Sequence, residues 1–172
     1  MQSASFRHSP NSPKNIILIG MPGAGKTTIG SALAERLARP FHDSDLVLEQ
    51  LHQRSIPEIF SSEGEAAFRK METGVLQDLT QHSGIVLATG GGCITVSENY
   101  PILHQNSIVI CLMRELEKLP VQGRPIYRNT NVYALYENRA PLYLKFADYL
   151  VDNNSTIEET VDKILTILEP EF

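Results

Sequence analysis

Residues Gly20 to Thr27 read G-M-P-G-A-G-K-T, a complete G-x-x-x-x-G-K-[ST] phosphate loop. The string constrains what surrounds it. An apolar run, Ile16 to Ile19, leads in, and a helical pattern of Ile29, Leu33 and Leu37 leads out. Strand, glycine-rich turn and helix in that order aim backbone N–H groups and a helix N-terminus at phosphate oxygens. Lys26 then reaches the β- and γ-phosphates of a nucleoside triphosphate, and the Thr27 hydroxyl ligates Mg²⁺. Gly23, Ala24 and Gly25 supply N–H groups to the phosphates. This establishes triphosphate binding and leaves the reaction open.

Five short apolar runs, at 15–20, 40–43, 85–89, 107–112 and 147–151, have the length of strands. Helical patterns occupy 27–38, about 131–146 and about 156–168. Two capping-box pairs, Ser55 with Glu58 and Ser62 with Glu65, predict the starts of two further helices. The second carries Phe68, Met71, Val75 and Leu79 on one face. The last helix opens with Ser155 and Glu158 and is expected to bury Ile157, Val161, Ile164, Leu165 and Leu168. Strands alternating with helices predict a parallel sheet with helices on both faces. Ligands of such sheets bind beyond the C-terminal strand tips. Those tips carry Gly20 onward, Asp43, and Thr89-Gly90-Gly91-Gly92.

With 172 residues the chain is sized for one domain. A net charge of −5 argues against an extended nucleic-acid surface. No apolar run approaches the ~20 residues of a membrane span. Met1 to Lys14 is polar and rich in Ser, Pro and Asn, so a disordered tail is expected over 1–14 and a single domain over 15–172. Cys93 and Cys111 lie in or beside apolar segments with no metal-type spacing, as reduced core thiols of a cytoplasmic protein do.

Asp43-Ser44-Asp45 puts two carboxylates at a strand tip. One can hold a metal while the other takes a proton from an acceptor hydroxyl; alternatively, one merely caps a helix over 46–53. No acid of the usual metal-binding kind ends the third strand, which passes the metal to Asp43. Three consecutive glycines at 90–92 exceed what a tight turn needs and suggest a ligand lying against bare backbone. Arg69, Arg124 and Arg139 are the candidate anion contacts, since guanidinium forks match carboxylate and phosphate oxygens. Arg124 sits in Gly123-Arg124-Pro125, a stiff segment suited to a lid over about 114–130.

At this point the chain resembles the shikimate kinases, a branch of the P-loop small-molecule kinases. The resemblance runs from about Asn15 to Leu168. It is carried by G-M-P-G-A-G-K-T-T at 20–28, D-S-D at 43–45 and S-I-P-E-I-F-S-S-E-G-E-A-A-F-R-K-M-E at 55–72. T-G-G-G at 89–92, G-R-P at 123–125 and R-A-P-L-Y at 139–143 complete it. It implies an α/β P-loop kinase fold, a five-stranded parallel sheet of order 2-3-1-4-5 flanked by helices, with a short lid. It also implies MgATP-dependent phosphorylation of the 3-hydroxyl of shikimate, in aromatic amino-acid biosynthesis.

By similarity, Gly23, Ala24, Gly25, Lys26, Thr27, Thr28 and Arg124 face ATP, and Thr27 and Asp43 hold Mg²⁺, Asp43 through water. Asp45 binds the shikimate hydroxyls and is the base. Arg69 and Arg139 clamp the carboxylate, Gly90, Gly91 and Gly92 line the ring, and Arg124 stabilises the transferring group. Shikimate and ATP are then the partners of a cytoplasmic monomer, with no nucleic acid and no membrane. The stretch between Arg124 and Arg139 is several residues shorter than the usual lid. Met113 to Pro120 lacks the arginine that the family often stacks on adenine, leaving Lys118 and Arg114 as the cations there. Two other readings stand beside this one. One is a related kinase for another hydroxy acid such as gluconate; the other is a catalytically weak nucleotide-binding protein that regulates or scaffolds.

Overall fold

A computed structural model describes residues 13–120 and 131–171. Residues 1–12 of the expected tail, residues 121–130 of the expected lid with Arg124, and Phe172 lie outside the described residues. Five strands, β1 (Asn15–Ile19), β2 (Phe41–Asp43), β3 (Val86–Ala88), β4 (Ser107–Met113) and β5 (Tyr149–Asp152), form one sheet of order β2-β3-β1-β4-β5. All four pairings are parallel. This is the order that the family resemblance implies.

Every residue of β1 is buried, as in a strand covered on both faces, which accounts for its unbroken apolar run. The helices are α1 (Lys26–Leu37), α2 (Ser44–His52), α3 (Ile56–Leu79), α4 (Asn99–Leu103), α5 (Val132–Phe146) and α6 (Ile157–Leu168). The core joins β1 and β4 to Ile29 and Leu33 of α1, Leu76 of α3, Phe146 of α5, and Ile164 and Leu168 of α6. Because β1 is flanked by β3 on one side and β4 on the other, the chain leaves its C-terminal tip at a switch in strand order. In open parallel sheets ligands bind at such a switch point. At the opposite end, Lys14 pairs with Glu171 at 2.6 Å, beside the first residue of β1. Cys93 and Cys111 are free and buried, and burial pushes both thiols up to about 12.

Two helix starts differ from expectation. Ser55 and Glu58 do form a capping box, and a second helical segment does follow, but it opens after Gly64 and not on a Ser62–Glu65 box. Ser62 sits in a turn that is already helical, and its hydroxyl donates to the Glu58 carbonyl at 2.7 Å. Glu65 turns instead to Arg69. The break falls at Gly64, whose φ of 83° and ψ of 175° interrupt α3.

The last helix opens with Thr156 and Glu159, one residue later than Ser155 and Glu158. Asn153 accounts for the delay. Its side chain donates to the Ala24 carbonyl at 2.7 Å and accepts from Thr160 at 2.8 Å, which holds the chain extended past β5. Ile157, expected inside, is consequently 42% exposed, and Leu165 is half-buried. The short α4 was not anticipated. It is tied down by Asn99, which donates to the Cys93 carbonyl at 2.7 Å.

A Cβ on Gly64 would meet nothing within 4 Å, so only backbone strain opposes a side chain there. Gly64→Ala is expected to lower stability by about 1–3 kcal/mol, since this region of φ and ψ is essentially glycine's own. Urea unfolding checks it. An unchanged midpoint would mean that the kink relaxes at no cost.

Candidate active site at the strand tips

Gly25, in a left-handed conformation with φ of 95°, precedes the first turn of α1, and no side chain caps that turn. Among the described residues the first-turn N–H groups are thus left without a side-chain acceptor. Lys26 is buried, its Nζ donating to the Gly20 carbonyl at 2.9 Å and the Met21 carbonyl at 3.0 Å. The Thr27 hydroxyl donates to Asp43 Oδ2 at 2.6 Å. The other oxygen of Asp43 accepts from the Asp45 N–H at 3.0 Å and the Leu46 N–H at 3.4 Å. Asp43 thus caps a helix, α2, and its other oxygen meets the phosphate loop.

The neighbouring acid has a different environment. A Cβ on Gly90 would lie 2.5 Å from Glu72 Oε1 and 2.8 Å from Asp45 Oδ1, so two carboxylates press on the same bare Cα. Partial burial, then Glu72 and Asp43, raise Asp45 to about 6, against the pull of Lys26 and Arg69. Glu72 is 1% exposed, and burial raises its carboxyl too, with Arg69 and Arg139 opposing. Arg69 donates through Nη1 to Glu72 Oε2 at 2.7 Å and through Nη2 to Glu65 at 3.4 Å, and its guanidinium stands 5.0 Å from the Phe68 ring centroid. After these bonds, Arg69 Nε and Glu72 Oε1 remain buried without a partner among the described residues.

Arg139, on α5, is buried and donates to the Gly91 carbonyl at 3.2 Å; the Tyr143 hydroxyl donates to the same oxygen at 2.5 Å. The triple glycine meets a different element at each position. Gly90 faces the two carboxylates, Gly91 approaches Pro22 of the phosphate loop, and a Cβ on Gly92 would fall on the Arg69 guanidinium. The bare backbone anticipated for a ligand accommodates the protein's own groups. The Gly90 N–H donates to Ser44 Oγ at 3.2 Å.

Of the residues singled out from the sequence, Lys26, Thr27, Asp43, Asp45, Arg69, Gly90, Gly91, Gly92 and Arg139 gather around these strand tips. Arg124 lies outside the described residues. Glu72, Tyr143 and Ser44 were missed. The spacing of Glu72, three residues after Arg69 on a helix, was a readable signal for an ion pair.

A loop for phosphates beside a buried arginine–carboxylate pocket, at the switch point of a parallel sheet, defines a P-loop small-molecule kinase. The comparisons agree. Residues 22–169 match the family model described as Shikimate kinase. A shikimate kinase of Burkholderia lata is 41% identical over 165 residues, 90% of each chain. One of Vibrio parahaemolyticus is 41% identical over 166 residues, 91% of this chain and 96% of the relative. The solved shikimate kinase of Acinetobacter baumannii in complex with shikimate superposes with a TM-score of 0.87 at 39% identity, covering 92% of this chain and 94% of that one. The chain belongs to the shikimate kinase family.

The Asp45 carboxyl has a stability consequence. Its folded value of about 6 lies above the ordinary 3.8. The folded protein therefore holds this proton more tightly than the unfolded chain, and stability falls as pH rises through about 6. Asp45→Asn is expected to melt a few degrees above the parent at pH 8, the gap closing towards pH 4. Equal melting temperatures at pH 8 would contradict the environment described for this acid.

Proposed function

We propose that this chain carries out its family's reaction, transfer of the γ-phosphoryl group of ATP to the 3-hydroxyl of shikimate, with Lys26, Asp45, Arg69 and Arg139 as the principal side chains. One observation carries the assignment of residues. Among the described residues Arg69 keeps a buried, unpartnered Nε–H, and Arg139, held on the Gly91 carbonyl, acts on the same Glu72 carboxylate that Arg69 pairs with. A hydroxy acid supplies what these groups lack. Its carboxylate accepts from the two guanidinium groups, and a ring hydroxyl faces Asp45.

Lys26, the loop N–H groups from Gly23 to Gly25 and the first-turn N–H groups of α1 as far as Thr28 hold the triphosphate. The acceptor oxygen bonds to the γ-phosphorus as the bond to the β–γ bridging oxygen breaks, ADP leaves, and the hydroxyl proton passes to Asp45. A carboxylate whose affinity for protons is raised towards 6 accepts that proton more readily than an ordinary aspartate. Glu72 holds Arg69 in place. Gly90, Gly91 and Gly92, having no side chains, leave room for Asp45, Glu72 and Arg69 beside the substrate ring. Arg124 keeps the role that the sequence suggests, contact with the transferring group.

Mg²⁺ fits the donor set. Thr27 and Asp43 present two hard oxygens 2.6 Å apart at the edge of the loop. Among the described residues there is no cluster of three His, Cys, Asp or Glu side chains suited to a metal, so phosphate oxygens and water would complete the shell. When bound, the ion would neutralise negative charge on the triphosphate. The same reading takes the chain as a cytoplasmic monomer acting on small molecules. No described helix is long and apolar enough to cross a membrane.

A coupled ADP-release assay with shikimate, quinate, gluconate or no acceptor is expected to show turnover with shikimate; activity with gluconate alone would overturn the substrate assignment. Lys26→Ala should cut kcat/KM by at least about a hundredfold, and near-parental turnover would remove Lys26 from its role. In the parent enzyme kcat/KM for shikimate should fall below about pH 6 as Asp45 protonates. A flat profile from pH 5 to 8 would exclude Asp45 as the base.

A further inference from the structure

The acceptor groups crowd one flank of the phosphate loop, at the tips of β2 and β3. That leaves the tips of β4 and β5 for the nucleoside half of the nucleotide. Arg114 directly follows β4, and its Nη1 lies 3.8 Å from the point where a Cβ on Gly25 would sit. It therefore stands against the loop residue that begins α1.

The backbone around Arg114 is held on both sides. The Met113 carbonyl accepts from the Asn153 N–H at 2.7 Å, and the Glu115 N–H donates to Asn154 Oδ1 at 2.9 Å. Asn153 also braces the loop through the Ala24 carbonyl. Arg114 and the phosphate loop are thus mounted on one support, the turn between β5 and α6. The nearest acids in sequence are engaged elsewhere: Glu115 pairs with Lys118 at 2.9 Å, and Glu117 accepts from the Tyr133 hydroxyl at 3.0 Å. Among the described residues, Arg114 Nε is buried with no hydrogen-bond partner, and no carboxylate forms an ion pair with the guanidinium. A buried charged donor left unpaired is destabilising unless an anion completes it.

We propose that Arg114 is a nucleotide-binding residue, donating to an α- or β-phosphate oxygen from the nucleoside side of the loop. The inference rests on the kinase reading and adds a residue to it. The α- and β-phosphates do not leave with the transferred group, so the contact is made to ATP and ADP alike. It supports binding rather than the chemical step.

The test compares Arg114→Met and Arg114→Lys with the parent by calorimetric titration of ADP and of shikimate, competition by adenosine, steady-state kinetics and nucleotide-free melting. Arg114→Met should weaken ADP binding and raise KM for ATP by about ten- to a hundredfold. It should leave kcat, shikimate affinity and adenosine competition within about twofold, a spread too small to signal a lost charged hydrogen bond. Nucleotide-free melting should not fall, because the charge removed was unpaired. Arg114→Lys should recover part of the ADP affinity. Unchanged ADP affinity in Arg114→Met would overturn the proposal. So would an equal loss for adenosine, which would put the guanidinium on the base, or a parallel loss for shikimate, which would make its role one of general structure. A parent that binds no ADP would sink the kinase reading itself; the other outcomes, seen with parental binding intact, sink only Arg114.

Discussion

The Asp43 carboxylate holds the two halves of this site in register. One oxygen receives the Thr27 hydroxyl from the first turn of α1, and the other receives the N–H groups that begin α2. The phosphate-binding helix and the helix carrying Asp45 are therefore referenced to one side chain at the tip of β2. Phosphoryl transfer depends on such positioning more than on covalent help from the protein. A short chain of strong local bonds between donor and acceptor sides is what the reaction demands of the scaffold.

On the acceptor side the arrangement is electrostatically costly. Asp45 and Glu72 meet at Gly90, both resisting ionisation, and Arg69 offsets part of that cost while leaving its own Nε–H unpaired. A site assembled for stability alone would close such gaps. Here the unmet donor and the raised acid are complementary to a ligand that is itself an acid with hydroxyl groups. On the proposed reading, the groups that weaken the free protein are those that recognise the substrate.

Much of this was legible in the residues. The phosphate loop and the all-apolar β1 announced a parallel sheet, and the sheet order followed from the family motifs. Asp43, Asp45, Arg69 and Arg139 were found because their local contexts are unusual. What was not legible depended on partners distant in sequence. The overlap of Ser155–Glu158 and Thr156–Glu159 is a tie that local spacing cannot break; Asn153, pulled to Ala24, breaks it. Ser62 with Glu65 has the form of a capping box, yet the glycine between them places the break. Tyr143 and Ser44 are ordinary residues until the glycine segment brings Gly91 and Gly90 to them.

The bond from Asn153 to the Ala24 carbonyl spans 129 positions. Synthesis runs from the N-terminus, and contacts of such long sequence separation form late. On the ribosome the glycine-rich turn emerges well before its brace, which lies 129 positions later. A nascent chain therefore carries the recognisable string long before it has a rigid cradle, and ATP is a poor template for early folding. Nucleotide capture becomes a report that the sheet has been closed out to its last strand.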